Sequence, residues 1–385
     1  MRTKALIHLD NFAKNLNSVR TRIGKNRHIC VPVKADAYGH GALQIAETSL
    51  KAGAFCLGTA AVSEAVKLRN GGIKAPILIF SQPLPEEIPG IINENFIPFI
   101  SDMEFASILN EEAGKKNARL SVHLKIDTGM GRIGCSPEES LAIARYISSC
   151  KGLELTGIAT HFAVSDSTDI SDIEYTKEQL AVFKKAIDII RADGINPGII
   201  HAANSGAVIL HPESWFDMVR PGIILYGYKT AEESELPGDY KNELSELKPI
   251  NVKPVMELRS KVTLIKKIKK GDSVSYGRTW TAENDTYIAI LSTGYADGFP
   301  RLASNKWQVQ INGRNFPVAG RITMEQCCVD LCTNKIDSLP DVDRWDDAVI
   351  FGGTAADAME LASVVRTIPY EITCNVNKRV PRVYS

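Results

Sequence analysis

Eight short runs of β-branched and apolar residues recur through the first 228 residues of the chain, separated by stretches with helical spacing. They lie near 29–34 (ICVPVK), 55–59 (FCLGT), 76–80 (PILIF), 97–100 (IPFI), 121–127 (SVHLKID), 156–161 (TGIATH), 199–203 (IIHAA) and 218–220 (MVR). Short continuous apolar runs suit strands buried on both faces, which are parallel strands covered by helices. Eight such units predict a (β/α)8 barrel rather than an open sheet. The helical signals between them are clear. Residues 10–23 place Phe12, Leu16, Val19 and Ile23 on one face, and Leu180, Phe183, Ile187 and Ile190 keep the same spacing until Gly194. Ser136-Pro137-Glu138-Glu139 reads as a capping box with proline at the first helical position.

At 385 residues the chain exceeds most single cores, so two domains are expected. From Lys229 to about Pro254 the composition turns polar and charge-rich, as a linker or surface excursion would. Beyond it alternation dominates, with Asn312-Gly313 at a hairpin turn and one helix near 355–366. The expected division is a barrel over 1–240 followed by a mostly β C-terminal domain over 241–385. A strand around 3–9 is a candidate to join the second domain.

Composition narrows the function. Lys plus Arg equals Asp plus Glu at 45 each and no basic block stands out, so a nucleic-acid or polybasic membrane role has little support. No apolar run approaches the ~18 residues of a membrane helix, and MRTKALIHLD meets charge too early for a signal peptide. A soluble, cytoplasmic protein is expected. The eight cysteines sit mostly inside apolar runs, as reduced core thiols do. Cys327-Cys328-x-x-x-Cys332 is faintly metal-like, but adjacent strand residues face opposite sides and no His or second Cys pair stands nearby, so no metal site is expected.

In a barrel, chemistry gathers at the C-terminal strand ends. Those ends carry Lys34, Lys125 with Asp127, His161, Asn204-Ser205 and Arg220. The Ser205 turn and the Gly222-Ile223 amides suit a phosphate. A lysine and a phosphate site at one mouth suggest a pyridoxal phosphate Schiff base. Each residue alone has a plainer reading: Lys34 a snorkelling strand end, His161 a satisfied core histidine, Lys125 an ion-pair partner of Asp127. Gly129-Met130-Gly131-Arg132-Ile133-Gly134 fits the dinucleotide fingerprint, but it does not lead directly into a helix and its unit comes fifth, so that reading is set aside.

VKADAYGHG (33–41), KIDTGMGRIG (125–134), THFA (160–163), HAANS (201–205), RPGIILYG (220–227), VSYGRTW (274–280), GYADGFPR (294–301), GRITMEQ (320–326) and RVPRV (379–383) together resemble alanine racemase, nearly end to end and in order. The resemblance implies an amino-acid racemase that uses pyridoxal 5′-phosphate, acts as a homodimer with shared active sites, and supplies D-alanine for peptidoglycan. Lys34 would carry the cofactor and serve as one catalytic base. Tyr276, from the partner subunit, would be the other. Tyr38, Ser205, Gly222 and Ile223 would hold the phosphate. Arg220 would bond the pyridine nitrogen, supported by His201. Arg132 would contact the cofactor's phenolic oxygen and the substrate carboxylate, which would also meet the Met324 backbone. Lys125 resembles a lysine carbamylated in many members, His161 would sit beside Tyr276 and Arg220, and Tyr295 and Arg321 would line the entry.

By composition alone, Tyr276 reads as an ordinary strand aromatic and Met324 as a core filler. Two positions depart from the family pattern: Glu325 stands where aspartate is usual, and Lys378 where many members carry tyrosine. Alternative readings are a racemase of broader specificity or one for serine, a non-catalytic pyridoxal phosphate carrier, and a barrel-fold amino-acid decarboxylase. The carrier would lack VSYGRTW and GRITMEQ, and the decarboxylase this motif order.

Overall fold

A computed structural model describes residues 2–331 and 341–385, arranged as two compact units. One comprises Phe12–Ala37 and Ala42–Val252; the other gathers Met1–Asn11, Tyr38–Gly41 and Lys253–Ser385.

The strand β1 (Lys4–Ile7) belongs to the second unit, and the first is built on the next eight: β2 (His28–Pro32), β3 (Cys56–Thr59), β4 (Ile77–Ile79), β5 (Ile97–Ile100), β6 (Leu120–Lys125), β7 (Leu153–Ala159), β8 (Ile199–His201) and β9 (Met218–Val219). Their order is β8-β7-β6-β5-β4-β3-β2-β9, all parallel. The Asp217 amide donates to the Ile200 carbonyl (3.1 Å) and the Arg220 amide to that of Ala203 (2.8 Å), bridging the two ends of the order. The result is the nearly closed barrel that eight alternating units imply. Cys30, Cys56, Leu78, Phe99, Ala159 and Met218 form a buried cluster inside it. Gly58 leaves room there for Phe80, whose ring would lie 2.0 Å from any Cβ at that position. The helix Leu9–Ile23 buries Phe12, Leu16, Val19 and Ile23 as its spacing requires, each worth roughly 2 kcal/mol in apolar burial.

Two local expectations change. Ser136 and Glu139 exchange the reciprocal capping bonds, but the regular helix starts at Ser140 after a turn. The polar excursion after Lys229 contains a short helix, Gly238–Leu244. Buried Arg22 anchors that excursion, pairing with Glu233 (2.8 Å) and donating to the Lys248 carbonyl.

The second unit is mostly β. Its longest strand, β10 (Met256–Ile268), pairs antiparallel with β1; β11 (Ser273–Val274) and β12 (Trp280–Thr281) form a separate small ladder. β13 (Thr286–Leu291) and β17 (Asp347–Phe351) also flank β10, β14 (Gln308–Ile311) turns back into β15 (Arg314–Pro317), β16 (Cys327–Asp330) joins β13, and β18 (Arg382–Tyr384) runs parallel to β1. Asn312 and Gly313 both take positive φ, 50° and 76°, as a two-residue hairpin turn needs. A helix covers Ala358–Val365 and a second, unforeseen one Pro369–Cys374. Cys327 and Cys328 lie on β16, while Cys332 is outside the described residues. Among the described residues no helix is long and apolar enough to cross a membrane.

Candidate active site

β2 ends at Pro32, short of the expected lysine, so Lys34 opens a turn rather than closing the strand. Ala35, Asp36 and Ala37 take left-handed helical angles (φ 51–54°, ψ 47–53°) and Tyr38 follows at φ 54°. For L-residues this costs roughly 1–2 kcal/mol each, so neighbours must hold it. The Ala37 amide donates to the Val33 carbonyl (2.9 Å), the Ala35 amide to Glu64 Oε1 (2.6 Å), and the Ala42 amide to Asp36 Oδ1 (2.8 Å). Glu64 was invisible as a site residue in the sequence, because nothing local announces a carboxylate that clamps a distant turn.

Lys125 ends β6 and is buried, its Nζ donating to the Ile126 carbonyl at 3.3 Å. Burial, with Arg220 and Arg132 nearby, pushes its ammonium down to about 7. The Asp127 carboxylate accepts the amides of Gly129 (2.9 Å), Gly131 (3.1 Å) and Arg132 (3.0 Å), so it shapes the glycine loop that carries Arg132.

Arg220 follows β9 directly and is buried. Nη1 meets His201 Nδ1 at 2.7 Å, and Nη2 donates to the carbonyls of Thr160 (2.8 Å) and Ala202 (2.9 Å), with His161 Nδ1 at 3.4 Å. Among the described residues no carboxylate pairs with it and its Nε–H has no acceptor. Burial lowers its guanidinium to about 10, and the same cation with burial holds His161 and His201 well below the usual imidazole range. His201 Nε2 in turn meets His123 Nδ1 at 2.8 Å. His123 was overlooked in the sequence, although it stands two residues before Lys125 on one strand and therefore on the same side.

Asn204 caps the helix Ser205–Leu210 through the Ala207 amide (3.0 Å), and Ser205 Oγ accepts the Gly222 amide (2.8 Å). Ile223 opens the next helical turn. The barrel thus brings Lys34, Lys125, Arg132, His161, His201, Ser205, Arg220, Gly222 and Ile223 to its C-terminal strand ends.

The remaining residues belong to the second unit. Tyr38 is buried, its ring tilted against Tyr370 at 5.8 Å, and Gly39 sits where a Cβ would lie 2.1 Å from the Thr373 carbonyl. Tyr276 is on a helical turn, not a strand, and is 72% exposed; Met324, no core filler, is 53% exposed. Ser275 Oγ donates to the Arg321 carbonyl (2.6 Å) beside Tyr276. The Tyr295 amide donates to the Thr323 carbonyl (3.0 Å) and the Ala296 amide to that of Met324 (3.1 Å), knotting two turns together. Lys378 is exposed.

Fold and mouth define the class first: a (β/α)8-barrel enzyme with a lysine-bearing, cation-rich mouth and an appended β domain. Residues 7–230 match the alanine racemase N-terminal domain and residues 255–384 the alanine racemase C-terminal domain. Alanine racemase of Treponema denticola is 50% identical over 388 residues, covering 99% of this chain and 98% of the relative; that of Treponema pallidum is 43% identical with the same coverage. The solved alanine racemase of Clostridium difficile 630 superposes with a TM-score of 0.90 at 35% identity, covering 100% of this chain and 96% of the other. The chain belongs to the alanine racemase family, which is a family of isomerases.

Proposed function

We propose that the protein interconverts L- and D-alanine using pyridoxal 5′-phosphate, as a homodimer in the cytoplasm, and so supplies D-alanine for peptidoglycan. The observation that carries the reading is the buried Arg220, whose Nη groups are held by imidazole and carbonyl acceptors. The donor set fits the cofactor. Arg220 would face the pyridine nitrogen, donating without protonating it. Ser205 with the Gly222 and Ile223 amides, and Tyr38, would hold the phosphate. Lys34 would bind the carbonyl carbon and Arg132 the phenolic oxygen. When bound, the cofactor would acidify the substrate Cα–H by withdrawing its electrons.

Lys34 Nζ and Tyr276 Oη would each remove and return that proton, one on each face. Arg220 would favour the Tyr276 phenolate by its positive charge, relayed through a neutral His161. Arg132 and the Met324 backbone would hold the substrate carboxylate. Lys125, neutral in part near pH 7, would add CO2 through its amine with loss of a proton, giving Arg132 an anionic partner. The exposure of Tyr276 and Met324 in a single chain supports the shared site.

The test is incubation with pyridoxal phosphate and L-alanine in D2O, followed by chiral chromatography and proton NMR. D-alanine carrying α-deuterium is expected; no exchange with alanine, but exchange with serine, would move the substrate assignment. Mixing Lys34→Ala with Tyr276→Phe protein tests sharing, because only a site built from two chains regains activity.

A further inference from the structure

Arg220, His201 and His123 form a continuous hydrogen-bonded line inside the barrel, with separations of 2.7 and 2.8 Å. The chemistry of the three groups dictates where its protons are. Guanidinium nitrogens only donate, so His201 Nδ1 must present a lone pair. A neutral imidazole has one N–H, which therefore sits on His201 Nε2 and points at His123 Nδ1. His123 must accept there and keeps its own proton on Nε2. Burial together with Arg220 lowers His123 to about 3, consistent with a ring that stays neutral.

The barrel is built around this ring. A Cβ at Gly157, on β7, would lie 2.6 Å from His123 Nε2 and Cε1, so the neighbouring strand leaves that space to the imidazole. Phe99 stacks on His123 with 6.2 Å between centroids and tilts against His201 at 5.9 Å. These contacts fix the plane of both rings.

We propose that His123 is a positioning residue for the reaction: by accepting the His201 Nε2–H it holds the ring of His201 in place, and His201 thereby aims Arg220. Without an acceptor at position 123, the His201 Nε2–H is a buried donor with no partner, which is costly. With Arg220 at Nδ1 the proton stays on Nε2, so His201 escapes that cost by turning its ring toward another acceptor. The Nδ1 lone pair then leaves the guanidinium, and Arg220 swings away from the place where it would meet the pyridine nitrogen. The last step rests on the pyridoxal phosphate reading above; the tautomer assignment does not.

The experiment is long-range proton–nitrogen NMR on full-length protein labelled with 15N-histidine, before cofactor is added. Peaks are assigned by loss in His123→Gln and His201→Asn proteins. In the wild type, His201 should show a protonated Nε2 and a lone-pair Nδ1. In His123→Leu the His201 Nε2–H should lose its hydrogen-bonded downfield proton shift, and His123→Gln, whose amide oxygen still accepts, should restore it. With pyridoxal phosphate bound, His123→Leu should lower kcat for alanine roughly tenfold with little change in KM, in line with outer partners of other reactive centres. It should also raise the share of turnovers ending in transamination. A wild-type His201 protonated on Nδ1, or an unchanged Nε2–H shift in a folded His123→Leu protein, overturns the proposal; should the leucine variant not fold, the wild-type spectrum decides. Failure of the cofactor reading appears separately, as wild-type protein that gains no visible absorbance from pyridoxal phosphate.

Discussion

Arg379 meets Glu325 through two parallel hydrogen bonds, 3.1 and 2.9 Å, while its Nε donates to Asp297 Oδ1 at 2.9 Å. Asp297 is buried and also accepts the Gly294 amide, so one guanidinium pins both turns of the Tyr295–Met324 knot. The extra methylene of Glu325 is thus taken up by a two-point contact with an exposed arginine. The two partners should not be equivalent. Arg379→Ala leaves a buried carboxylate unpaired and should lower the urea midpoint clearly, whereas Glu325→Gln removes an exposed charge and should shift it far less. Urea denaturation of both and of the double variant separates the terms; equal losses would contradict the arrangement.

Lys125 gives a pH dependence of known sign. Its folded-state pKa, about 7, lies below its ordinary value, so the unfolded chain binds more protons between the two. Stability from this residue therefore rises with pH across that window and is poorest below pH 7. In CO2-free buffer, Lys125→Met should be more stable than the parent by ~2 kcal/mol near pH 6, with the gap closing toward pH 10. A gap independent of pH would mean that Lys125 keeps an ordinary ammonium.

Asp127 organises the loop bearing Arg132 through three backbone donors, and those bonds hold its carboxylate below the usual range. Asp127→Ala frees that loop. Because Arg132 is assigned to the substrate carboxylate, KM for alanine should rise by about tenfold, some 1.4 kcal/mol, with a smaller fall in kcat. Steady-state assays in both directions check this, and an unchanged KM would separate Arg132 from substrate binding.

Asp357 caps the helix Ala358–Val365 by accepting the Met359 and Glu360 amides at 2.8 and 3.1 Å, and Glu360 returns a bond to the Asp357 amide. Asp357→Ala should destabilise the protein by ~1 kcal/mol without altering kcat. Thermal unfolding alongside a racemisation assay tests both halves.

The barrel was legible because its signal is local. Runs such as PILIF and IPFI are too apolar for anything but strands covered on both sides, and eight of them leave few topologies. Strand ends were less legible: Lys34 reads as the end of VPVK, yet β2 stops at Pro32 and a left-handed turn follows Lys34, held in part by the distant Glu64, which accepts the Ala35 amide. Lys125, His161 and Arg220 could be named from their places at strand ends, but their charge states could not, since these depend on one another and on burial. Tyr276 and Met324 read as packing residues because their exposure follows from tertiary placement and leaves no trace in spacing. His123 was within reach, two positions before a named lysine, and was passed over because a histidine inside a strand looks like packing.

The turn at Ala35–Tyr38 has a further consequence. Its dihedral angles are those that mirror-image amino acids adopt at no cost, and none of its four residues is glycine. A chain assembled by ligation with D-alanine at positions 35 and 37 should therefore hold the loop after Lys34 more firmly than the natural one. Backbone chirality here works against the very conformation the lysine depends on, and Val33, Glu64 and Ala42 supply what handedness withholds.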